Sequence, residues 1–127
     1  MKRASAISTF IFGTLLFILM VLCLYPQASY ADAPQDVKLS YDFNAQTLTV
    51  TISHKASFPG MHHIKSVEIK KNSALISTAN YDTQSAESPF TYTYKVAAAE
   101  GDKLEVKATC NLSGNKVATI TVSRASK

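Results

Sequence analysis

The chain has 127 residues, 46% of them hydrophobic and 17% charged, with 13 Lys and Arg against 9 Asp and Glu. That length suits a single domain with a modest core. The small, scattered positive excess is not the basic face that a nucleic-acid partner needs, and Lys70-Lys71 reads as no more than a solvated turn.

The first element is a leader. Lys2 and Arg3 are followed by an almost wholly apolar run from Ile7 through Tyr25, which Pro26 breaks. Ser29 and Ala31 then supply small residues at signal-peptidase spacing, so residues 1–31 read as a signal peptide and residues 32–127 as the exported domain. A retained anchor is the competing reading, because the run approaches the roughly 20 residues that span a bilayer. The break and the small-residue site favour cleavage, which implies a periplasmic or secreted protein with no membrane partner once the leader is gone. Eleven basic residues then face nine acidic ones. Cys23 leaves with the leader; Leu22 before it is too bulky for a lipid-modified cysteine. Cys110 is the only thiol left, so the domain has no internal disulfide. In an oxidising compartment such a thiol is expected to be buried, joined to another chain, or bound to metal.

The rest of the chain reads as strands and turns. "VKLSYDF" places Val37, Leu39, Tyr41 and Phe43 on one face, and "TLTVTISH" does the same with Leu48, Val50 and Ile52. An Asn44-Ala45 turn makes these two runs a hairpin. "IKSVEIKK" and "ALISTANY" flank an Asn72-Ser73 turn, "FTYTYKV" follows Pro89, "KLEVKATC" follows Gly101-Asp102, and "KVATITVS" closes the chain. Seven short strands at even spacing predict an all-β fold, an immunoglobulin-like antiparallel β-sandwich, with a partly open barrel as the alternative.

All three histidines, His54, His62 and His63, fall within the stretch "SHKASFPGMHH". His54 continues the face of Leu48, Val50 and Ile52, and Cys110 continues that of Leu104, Val106 and Ala108, so both belong at the rim of the core where a strand meets a loop. His62 and His63 are adjacent on an extended segment, so their rings should diverge and only one should meet His54. Two imidazoles and a thiolate converging there would suit iron or zinc. The plainer reading keeps Cys110 as a small buried hydrophobe, His54 as a rim residue and the His62-His63 pair in solvent.

A strand ending in histidine, a short proline-containing loop, His62-His63-Ile64 opening the next strand, and a late Cys110-Asn111-Leu112-Ser113-Gly114 together resemble the ferrous-iron domain of the desulfoferrodoxins, the superoxide reductases. The resemblance runs from about Val37 to Val122. It implies a mononuclear ferrous iron held by histidines and an axial cysteine, with superoxide as substrate and a redox partner as electron donor. By motif it assigns His54, His62 and Cys110 to the metal, with His63 a further candidate for an incomplete shell. Two of that family's four histidines have no counterpart: Ser113 stands at one position, and residues 34–38 contain no histidine at the other. An oxidoreductase of superoxide reductase type is therefore one reading.

The other is a non-catalytic module. "SPFTYTYKVAAAEGDKLEVKAT" resembles the Z-type subunit of the thiosulfate-oxidation carrier complex, a metal-free sandwich that supports a protein partner. Thiol chemistry at Cys110 is a third reading, but Lys107 and Lys116 are too ordinary as neighbours to mark an activated thiolate. The chain carries no glycine-rich phosphate loop and no recognisable nucleophile motif. Tyr41, Phe43, Tyr92 and Tyr94 read as sheet packing.

Overall fold

Strict alternation of apolar and polar residues can bury only one face of an extended chain, and the fold follows from that. The computed structural model describes residues 11, 13–18, 20, 21 and 33–124. Seven strands occupy the domain: β1 (Asp36–Asp42), β2 (Thr47–Ser53), β3 (Ile64–Lys71), β4 (Ala74–Asn80), β5 (Phe90–Lys95), β6 (Lys103–Cys110) and β7 (Asn115–Thr121). They form two antiparallel sheets, one ordered β1-β2-β5 and the other β4-β3-β6-β7. The result is the expected all-β sandwich. The described residues between 11 and 21 are helical, and no helix among the described residues is long and apolar enough to cross a membrane. The leader's cleavage site at Ser29 to Ala31 lies outside the described residues.

The central strands make the core. Leu48, Val50 and Ile52 of β2 face Val67 and Ile69 of β3 and Leu104, Val106 and Ala108 of β6, and all eight are 0% exposed. Each large aliphatic side chain buried in this way contributes about 1.5–3 kcal/mol. The outer face of the second sheet is charged along its two central strands and carries exposed Leu75 and Val117 on its outer ones. Glu68 lies opposite Lys107 and Lys70 opposite Glu105, with ion-pair distances of 3.0 and 3.5 Å. Asn72 and Ser73 both adopt positive φ, 50° and 72°, as a two-residue β3–β4 hairpin loop requires.

Topology gathers the loops that matter. The chain crosses between sheets after β2, after β4 and again after β5. Since neighbouring strands are antiparallel, the β2–β3 crossover (54–63), the β4–β5 crossover (81–89), the β6–β7 loop (111–114) and the lead-in to β1 all lie at one end of the sandwich. Every histidine and Cys110 belong to that end.

Candidate metal centre

Strand parity delivers the first and last donors. His54 follows Ile52 on the inward face and is 1% exposed; Cys110 follows Ala108 and is 2% exposed. The loop between β2 and β3 supplies the middle donor. The backbone N–H groups of Met61 and His62 both donate to the Phe58 carbonyl, at 2.9 and 2.8 Å, and this tight turn folds His62 back toward the strand it left. The His62 ring meets the His54 ring edge-on, with centroids 4.6 Å apart and planes at 83°.

One ligand atom each from His54, His62 and Cys110 lies within 4.8 Å of the other two. Bonds of about 2.1 Å to nitrogen and 2.3 Å to sulfur cannot separate two atoms of one shell by more than about 4.4 Å. The three donors therefore lie close to the dimensions of one coordination sphere and must draw together to share an ion, since three donors cannot all be trans to one another. Two imidazoles and a thiolate are a donor set suited to zinc, iron or copper.

His63 is not part of this group. It is buried, so the pair does not lie in solvent, but its backbone is committed elsewhere: its N–H donates to Asn111 Oδ1 at 2.9 Å and its carbonyl accepts from the Asn111 N–H at 3.0 Å. Nδ1 of His63 is buried with no hydrogen-bond partner among the described residues. No carboxylate joins the group among the described residues, Asp36 included, and Ser113 is exposed. The whole chain holds three histidines, one fewer than a shell of four imidazoles needs, and among the described residues the group that could hold a metal offers three donors.

Two residues that the sequence reading left out of the site hold it together. Asn111 clamps the histidine loop to the cysteine loop, since its Nδ2 also donates to the Met61 carbonyl at 2.8 Å. Gln84, in the β4–β5 crossover, is buried against His54: its Nε2 donates to the His54 carbonyl at 2.8 Å, and its Oε1 lies 2.6 Å from His54 Nδ1. The "Cys-Asn-Leu" motif was a signal for Asn111. Gln84 had none. A β-bulge at Lys65, between the Ile64–Cys110 and Ser66–Thr109 pairs, adjusts the ladder immediately beside Cys110.

No protein-family model matches the chain, and no curated protein matches it significantly. Among solved structures it is similar to a superoxide reductase (1Fe-SOR) from Giardia intestinalis, at 16% identity and a TM-score of 0.48 over 72% of this chain and 97% of that one. It is also similar to the superoxide reductase neelaredoxin from Ignicoccus hospitalis, at 18% identity and a TM-score of 0.44 over 71% of this chain and 82% of that one. A variant of the same neelaredoxin gives 17% identity and a TM-score of 0.46, over 76% of this chain and 87% of that one.

Proposed function

We propose that this chain is an exported mononuclear iron protein of superoxide reductase type, with His54, His62 and Cys110 as its metal ligands. The observation that carries the reading is the convergence of those three donor atoms within 4.8 Å at a buried strand end. Iron bound there would supply one-electron chemistry, the electron passing to superoxide, which with two protons becomes hydrogen peroxide.

The chain's own residues set the conditions. Burial of His54 and Cys110 keeps bulk water from the inner side of the site, and the N–H of Leu112, 3.4 Å from Sγ of Cys110, stabilises a thiolate there. Asn111 keeps the two loops in register. Positions not taken by the three protein donors remain for a small anionic substrate or water. An electron donor outside the chain completes the cycle.

The test is anaerobic loading of the purified protein with Fe(II), metal analysis, and an absorption spectrum after oxidation, beside a Cys110→Ser control. One iron per chain and a thiolate-to-iron charge-transfer band that the control lacks are expected. Absence of retained iron and of the band would sink the reading and favour the metal-free binding module.

A further inference from the structure

The hydrogen bonds of Gln84 carry more than packing. Its carboxamide is oriented by two backbone groups whose roles cannot be exchanged. The N–H of Ile64 can only donate, and it points at Oε1 from 3.0 Å; the carbonyl of His54 can only accept, and it lies 2.8 Å from Nε2. Oε1 is therefore the acceptor atom, and an acceptor 2.6 Å from His54 Nδ1 requires that Nδ1 carry the proton. In the neutral ring the lone pair then sits on Nε2.

From this geometry we infer that Gln84 is the positioning residue of the metal centre: it holds His54 in the Nδ1–H tautomer and presents Nε2 as the ligand atom. The inference rests on the proposed metal-binding role of His54. Gln84 binds across the sandwich, since His54 extends β2 of one sheet and Ile64 opens β3 of the other. One side chain thus sets the ring's tautomer, its rotation, and the spacing of the two strand ends from which His54 and His62 are delivered. A metal-bound imidazole is ordinarily held by such a bond from its other nitrogen, and losing one lowers metal affinity about 10–100-fold. Among the described residues, Gln84 is the one buried polar side chain that is not itself a histidine, and its hydrogen bonds to His54 and Ile64 are what compensate its burial.

The test uses the full chain with 15N-labelled histidine and reads the imidazole nitrogens of metal-free protein by NMR, then measures Fe(II) and Co(II) affinity by chelator competition. Wild-type protein is expected to show His54 as Nδ1–H. Gln84→Met, similar in length but without the acceptor, should lose that preference and bind Co(II) about 10–100-fold more weakly. Gln84→Glu keeps an acceptor oxygen, so it should retain the tautomer and recover most of the affinity. A wild-type His54 protonated at Nε2, or a Gln84→Met protein with unchanged tautomer and affinity, would overturn the assignment. So would a Gln84→Met protein that is only less stable. If Gln84→Met does not fold, the wild-type tautomer and the Gln84→Glu affinity decide. Failure of the functional reading looks different: the wild-type protein would bind neither metal while the His54 tautomer stayed fixed.

Discussion

The backbone N–H of Leu112 points at Sγ of Cys110 from 3.4 Å, and the Cys110 N–H in turn donates to the Gly114 carbonyl at 3.0 Å. The β6–β7 loop therefore wraps the sulfur, leaving the residue 2% exposed. A thiol reagent needs access as well as a thiolate. Metal-free protein should accordingly label at Cys110 orders of magnitude more slowly when folded than in denaturant, and bound metal should slow labelling further. Mass spectrometry over a labelling time course checks both. Fast labelling of the folded protein would contradict the wrapped geometry.

Gly114 closes that loop at φ 79°, and a Cβ built on it would lie 2.5 Å from the Cβ of Ala33. Gly114→Ala is therefore expected to cost about 1–3 kcal/mol through backbone strain alone, with the clash in addition. Adding Ala33→Gly removes the 2.5 Å contact but leaves the strain and the Ala33 Cα at 3.1 Å, so the double variant should recover part of the loss. Urea unfolding of the four proteins of the cycle measures the coupling. Additivity within about 0.3–0.5 kcal/mol would mean that the two residues do not meet.

Much of this architecture was legible in the sequence because a two-residue period is a strong signal. The runs holding Leu48, Val50 and Ile52, and Leu104, Val106 and Ala108, could face only one way, and that parity carried His54 and Cys110 to the core's rim. The choice between His62 and His63 was not legible. It depends on the turn closed on the Phe58 carbonyl and on the Asn111 clamp, neither of which leaves a period in the chain. Gln84 was invisible for a related reason. Its partners are 20 and 30 residues away in sequence, and two of them are backbone groups with no residue identity to read.

Ile52 is 0% exposed and lies two residues before His54, so it couples core packing to the site. Ile52→Val should cost about 0.5–1.5 kcal/mol and Ile52→Ala about 2–5 kcal/mol. The ion pair between Lys107 and Glu68 is short, at 3.0 Å, but its side chains are 37% and 30% exposed. A double-mutant cycle there should give no more than about 1 kcal/mol. Chemical denaturation of both sets tests the ranking, and a salt-bridge coupling larger than the Ile52→Ala loss would reverse it.

Asp102 gives the opposite end of the sandwich a pH dependence. Its Oδ1 accepts from Asn72 Nδ2 and its Oδ2 from the Ala99 N–H, both at 2.9 Å. These bonds, with the nearby Lys71 charge adding to them, favour the carboxylate and hold its pKa below the ordinary 3.8. A pKa lowered in the folded state means that unfolded chains bind the proton more readily. The stabilisation is therefore complete well above the unfolded value of about 4 and is lost as pH falls through the lower folded value. Asp102→Ala should be less stable than wild type by a constant margin between pH 5 and 7 (roughly one to three units above the unfolded value), and the part of that margin owed to ionisation should close on acidification. Urea midpoints measured from neutral pH down through the acid range provide the check. A margin that widened toward acid would mean that the neutral carboxyl, not the carboxylate, is the form the turn prefers.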